Sequence, residues 1–153
     1  MKTILLFLLT ITAACAQPAL WNDYQVGQTF ESVLAQTQGR GHPQKAPGGE
    51  TIVINNYPGS GTVFTITFIF GPKKTLREII MRAPPAPTMQ QAAVFQKLSG
   101  AVTFKYGTET KHTRNESLTQ VTWVKDGTMV LLNLNRMGGS SQLYITYRPA
   151  PQT

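Results

Sequence analysis

His42 and His112 are the first residues in this 153-residue chain to weigh as metal ligands or proton carriers. Each follows an amphipathic segment, so a two-fold arrangement would bring them together, with Glu50, Glu109 or Glu116 adding a carboxylate. A zinc site needs three or four ligands, and no His-x-x-x-His or similar spacing supplies them, so solvated histidines and no cofactor or metal are expected. The other carboxylates, Asp23, Glu31, Glu78 and Asp126, form no pair whose apolar surroundings would push one pKa up for acid catalysis. No Gly-x-Ser-x-Gly elbow is present. Gly59-Ser60-Gly61 is turn punctuation, because neither a Lys nor a helix follows it as a phosphate cradle requires. Cys15 is the single cysteine and falls in the leader, which leaves the mature chain without a thiol nucleophile or internal disulfide. No catalytic residue is expected, and the chain is read as a non-enzyme.

Charge narrows the partners. The chain carries +7, and losing Lys2 with the leader leaves 13 Lys+Arg against 7 Asp+Glu, or +6. Such a balance favours anionic surfaces. The densest basic cluster is Lys73-Lys74 with Arg77 and Arg82. There is no basic helix and no basic stripe interleaved with aromatics, so nucleic acid is not expected. An anionic envelope component, or another envelope or secreted protein, remains.

The N-terminus sets the address. Met1-Lys2, the apolar run Ile4 to Ile11 and the small residues Thr12 to Ala16 form the three parts of a secretory signal peptide over residues 1–16. The run is far shorter than the ~20 residues that span a bilayer. Ala14-Cys15-Ala16 fits cleavage before Gln17, giving a periplasmic or extracellular protein. Thr12-Ala13-Ala14-Cys15 alternatively resembles a lipobox, making Cys15 a lipidation site and the chain an outer-membrane-anchored lipoprotein. Membrane contact is expected only through that anchor.

The elements that would position these groups follow from periodicity. Gln28 to Gln38 reads as a helix with Val26, Phe30, Val33, Leu34 and Thr37 on one face. Residues 39–50, rich in Gly and Pro, read as loop. Strands are expected at Thr51–Asn55, Thr62–Phe70 and Leu76–Met81. Beyond a stiff linker, Ala83 to Pro87, a second helix is capped by Thr88 with Gln91 closing a capping box, and it ends near Tyr106-Gly107. Residues 108–117 read as loop. Strands at Leu118–Val124, Thr128–Asn135 and Leu143–Tyr147 follow, with a frayed tail at 149–153.

The halves read alike, Gly61 to Phe68 aligning with Gly127 to Leu134, which suggests pseudo-repeats at 26–82 and 88–148 within one domain, 17–148. The expected fold is α+β: two α-βββ units forming one antiparallel sheet with both helices packed on one face. Phe64, Phe68, Val130, Leu132 and Ile145 would face the helices, and Trp123 belongs to that core. The other face, with Thr65, Thr67, Asn133, Asn135, Tyr144 and Thr146, is expected to be bare. The partner-binding residues are therefore expected to be Thr65, Thr67, Asn133 and Tyr144 on that face and Lys73, Lys74 and Arg77 at its basic edge. Trp21 and Tyr24 in the lead-in are further contact residues.

Gly27-x-Thr29-x-x-x-Val33, the Gly41-His42-Pro43 turn and the Phe70, Leu76, Ile79 arrangement resemble the SmpA/BamE outer-membrane assembly lipoproteins. The pattern is similar also to the tandem β-lactamase-inhibitor proteins. It covers about residues 26 to 80, with a looser copy over 89 to 148. The resemblance implies a helical segment packed on an antiparallel meander, and a scaffold or inhibitor that binds other proteins. The function expected is an exported cell-envelope binding or scaffold protein without catalysis of its own. Alternatives are an inhibitor or immunity protein inserting Tyr57 to Gly61 or the 39–49 loop into a secreted enzyme, and a metal-dependent enzyme if His42 and His112 converge.

Overall fold

The structure, a computed structural model, describes residues 17–152, so the expected signal peptide and the expected lipidation site Cys15 lie outside the described residues. Strands begin in the lead-in: β1 (Ala19–Trp21) and β2 (Tyr24–Gln25) form a small two-stranded sheet. Helix α1 (Phe30–Gln36) starts where the Thr29 hydroxyl accepts the Ser32 N–H at 3.2 Å, a side-chain N-cap. A four-strand meander follows: β3 (His42–Ala46), β4 (Gly49–Gly59), β5 (Thr62–Phe70) and β6 (Leu76–Arg82). After the two-residue β7 (Ala86–Pro87) comes α2 (Thr88–Tyr106). A second meander completes the chain: β8 (Lys111–Arg114), β9 (Leu118–Lys125), β10 (Thr128–Met137) and β11 (Ser140–Pro149).

All main strands join one nine-stranded antiparallel sheet in the order β3-β4-β5-β6-β11-β10-β9-β8, with β7 on β11. This overturns the α+β expectation. Strands make up 54% of the described residues and helices 19%, so the fold is sheet-dominated. The expectation of three strands per half missed β3 and β8, which lie in the stretches taken for loops. Both are edge strands with almost no buried side chain. Their backbones pair on one side only, and no apolar alternation marks them. The tail is also held further than expected: Pro149 pairs with Thr128 and the Ala150 N–H donates to the Gly127 carbonyl at 2.8 Å.

The meanders superpose by register. Gly59↔Thr62 and Tyr57↔Phe64 recur 66 positions later as Lys125↔Thr128 and Trp123↔Val130. Both hairpins turn through two positive-φ residues, Ser60-Gly61 (φ 50 and 84) and Asp126-Gly127 (φ 50 and 77). That is the conformation whose twist suits a two-residue hairpin. Phe68↔Ile79 recurs as Leu134↔Leu143 through a connection two residues shorter, which makes Met81 and Ile145 equivalent. These two residues pair directly across β6 and β11, so the sheet's pseudo-two-fold passes between them.

Register also assigns the faces. Ile52, Phe64, Ile66, Phe68, Ile79, Val121, Trp123, Val130, Leu132 and Ile145 share one side and are buried. Each such side chain contributes about 1.5–3 kcal/mol by leaving water. Helix α1 meets this side through Phe30 against Phe70, ring centres 5.0 Å apart, and α2 packs over β9, β10 and β11. Trp123 is 0% exposed and its Nε1 donates to the Thr103 hydroxyl of α2 at 3.3 Å. The lead-in closes the same layer, correcting the expectation that Trp21 and Tyr24 are free for a partner. Tyr24 packs on Phe68 and Trp21 edges onto Tyr57, with centroids 4.7 and 5.3 Å apart. No helix of the described residues is long and apolar enough to cross a membrane.

The capping box expected at Thr88 does not form. Pro87 is the N-cap residue, and no side chain caps the helix. Thr88 Oγ1 is instead 2.9 Å from Ser141 Oγ, while Gln91 Nε2 donates to the Pro84 carbonyl at 2.6 Å. These bonds fasten the linker and α2 to each other and to β11, which outweighs the local cap.

Candidate functional site

On the opposite side of the sheet, the first meander bounds a groove of about 760 Å³. Its floor comes from alternate residues of three strands: Thr51 and Val53 of β4, Thr65, Thr67 and Ile69 of β5, and Ile80 of β6. One rim is the β3–β4 hairpin, with Gln44, Ala46 and Gly48. Another is the linker Ala83-Pro84-Pro85, joined by Gln142, whose Nε2 donates to the Ala83 carbonyl at 2.8 Å. Two arginines of β6, Arg77 and Arg82, also line the groove.

Arg77 reaches this side because of a β-bulge. Ile69 pairs with Glu78 and Phe70 with Leu76, leaving Arg77 as the extra residue. A bulge re-aims side chains that strict alternation would place elsewhere. Leu76 and Ile79, three apart, therefore both stay buried, while Arg77 is exposed between them. Arg82 sits opposite Thr65 on one neighbour and Tyr144 on the other. Among the described residues, neither arginine pairs with a carboxylate. Lys74 pairs with Glu50 at 3.1 Å, and His112 Nδ1 lies 3.4 Å from Glu109 Oε1.

In the second meander the positions equivalent to the groove floor carry different side chains. Shifted by 66 positions, Thr65 corresponds to Leu131 and Thr67 to Asn133. Asn133 is only 2% exposed and its Oδ1 accepts from Gln120 Nε2 at 2.6 Å. The groove floor thus has two short threonines where the other half carries Leu and a tied-down Asn.

The structure brings together Thr65, Thr67 and Arg77 of the expected partner-binding residues. Lys74 stands near the mouth, φ 54, paired with the groove-lining Glu50, and Lys73 is exposed beside it. Tyr144 is half-buried next to Arg82. Asn133 is corrected: its amide is engaged in the sheet's own hydrogen bonds and is closed to a partner. Thr146, also expected on the bare face, is buried too. Val53, Ile69, Ile80, Arg82 and the Pro84-Pro85 rim were missed. The three-residue Leu76–Ile79 spacing was the available sign that β6 breaks alternation.

The alternative sites do not assemble. His42 lies on β3 and His112 on β8, the two edges of the eight-strand path. Seven inter-strand steps of ~4.8 Å separate them by roughly 30 Å along the sheet. Among the described residues no three His, Cys, Asp or Glu cluster. The segments expected as insertion loops are mostly strand, Tyr57 to Gly59 in β4 and His42 to Ala46 in β3, so both lie within the sheet. Three phenols have raised pKa values, but none is among the groove residues. Burial raises Tyr147 and Tyr106, and burial outweighs the nearby Arg40 charge at Tyr24.

Compared with protein-family models, curated proteins and solved structures, the chain matches none.

Proposed function

We propose that this chain is an exported cell-envelope binding or scaffold protein, without catalysis of its own, that holds a partner protein in the groove of its first meander. The observation that carries this reading is an open trough with an apolar-and-hydroxyl floor on a sheet face that neither helix covers. Pockets of a few hundred Å³ with an apolar lining and a few placed polar groups are where proteins hold ligands. The net positive charge and the unpaired arginines favour an acidic partner surface. The leader supports export, and the resemblance of residues 26 to 80 to SmpA/BamE proteins points toward the envelope.

Site-specific photo-cross-linking in intact cells tests the reading. A benzophenone side chain at Thr67 should give a discrete adduct, and the same group at Gln96, exposed on α2, should not. Filling the floor with Thr65→Trp should remove the adduct formed from position 67 while leaving secretion and folding intact. Equal adducts from positions 67 and 96, or none from 67, would overturn it. A cross-linked partner that proves to be a hydrolase inhibited on binding would turn the scaffold into an inhibitor.

A further inference from the structure

We infer that the groove takes an extended acidic segment of the partner protein, running along β6 with one carboxylate at Arg77 and another at Arg82. The inference rests on the groove being the binding site and adds the chemistry of its occupant. Arg77 and Arg82 lie five residues apart on one strand, roughly 16 Å at ~3.3 Å per residue. A single small anion spans neither that distance nor both cations. A strand of about five residues with acidic side chains at its first and fifth positions spans ~13 Å between Cα atoms and points both carboxylates the same way. The arginine side chains close the remainder.

The floor favours a peptide over an acyl chain. Among the described residues, no protein hydrogen bond engages the hydroxyl of Thr65 or Thr67 or the side-chain amides of Gln44 and Asn56, all of which line the groove. Covering such groups with hydrocarbon strips their water and returns no partner, which is costly. Peptide N–H and C=O groups replace that water one for one. Val53, Ile69 and Ile80 then take a small apolar side chain at the third position, which points the same way as the acids. Glu50, the acidic residue in the lining, is paired with Lys74 at 3.1 Å. Glu78 lines a shallower depression beyond Arg77, together with Arg148. Arginine suits the task because its planar fork donates two parallel hydrogen bonds to a carboxylate.

The test is fluorescence anisotropy of the purified full chain with a fluorescein-labelled, end-blocked peptide Asp-Thr-Val-Thr-Asp. Replacing either Asp by Asn should weaken binding roughly tenfold, since the amide keeps one acceptor oxygen and loses the other with its charge. Arg77→Gln and Arg82→Gln should each cost the same, and each should abolish sensitivity to one Asp only, which fixes the direction of the peptide. Near-ultraviolet circular dichroism of the core tryptophan verifies that the variants fold. Equal affinity for the Asp and Asn peptides would overturn the inference, as would tighter binding of dodecanoate than of the peptide. Peptide failure alongside a persistent cross-link from position 67 would sink only the acidic occupant. Loss of both would sink the groove as the site.

Discussion

Gly41→Ala should destabilise the protein by about 2 kcal/mol, although the change looks mild on paper. Gly41 is not in the left-handed region, so alanine meets no backbone strain. By restricting the unfolded chain it would ordinarily stabilise by about 0.4–1 kcal/mol. A Cβ there, however, would lie 2.6 Å from Thr37 Oγ1 and 2.8 Å from both Thr37 Cγ2 and Ile52 Cγ2. Thr37 cannot simply turn away. It is fully buried, its hydroxyl donates to the Leu34 carbonyl at 2.7 Å and accepts the Gly41 N–H at 3.1 Å. The clash therefore outweighs the entropic gain. Thr37→Ala alone should cost about 2 kcal/mol for two lost bonds, one of which orphans a buried N–H. In the double variant the collision with Thr37 disappears and the one with Ile52 remains. Its total should be about 2–3 kcal/mol instead of the ~4 of simple addition, a coupling of about 1–2 kcal/mol. Urea unfolding followed by tryptophan fluorescence measures all four corners of the cycle. Additive losses, or a neutral Gly41→Ala, would refute the claim that this three-residue contact locks the exit of α1 to β4. Because β3 leaves from that junction to form a groove rim, the single variants should also weaken peptide binding more than their stability loss explains.

Two further outcomes come from the phenols and the hairpins. Tyr147, Tyr106 and Tyr24 hold their protons in the folded chain above the ordinary phenol value of 10.0, chiefly because burial disfavours the phenolate. Above about pH 10 the unfolded chain releases protons that the folded one keeps. Their contribution is thus fully present below that pH and falls as pH rises, by up to ~1.4 kcal/mol per unit for each phenol. Chemical denaturation from pH 8 to 11 should show this decline, and Tyr147→Phe should make it shallower by one proton. Gly127→Ala should cost about 1–2 kcal/mol, since its φ of 77 disfavours any Cβ and that atom would meet Pro18 Cγ at 3.3 Å. Gly61→Ala in the equivalent turn meets only the flexible Lys97 ammonium at 3.5 Å, so its melting temperature should fall less.

The alternation in Thr62–Phe70, the Asp126-Gly127 turn and the apolar stripe of Phe30 and Val33 were legible in the chain because each is a local pattern of one buried face. They located the central strands, both helices, the buried Trp123 and the threonines of the bare face. The edge strands β3 and β8 were illegible, because a strand whose side chains all meet solvent carries no alternation. What makes His42–Ala46 a strand is the unpaired backbone edge of β4, a partner that exists only after folding. Counting those edges as loops is what tilted the expected fold class away from a sheet-dominated one.

The composition and spacing of residues settled by themselves that Cys15 is the single cysteine, that the chain carries excess positive charge and that its long strands bury one side. Tertiary structure alone decided that His42 and His112 stand at opposite edges, that Asn133 is consumed internally, and that Arg77 is turned outward to line the same groove as Thr67. The reason is that alternation specifies a side of a strand but not its neighbours. Which side chains share a hollow depends on strand order, register and one bulge, and those are set by pairings between residues far apart in sequence.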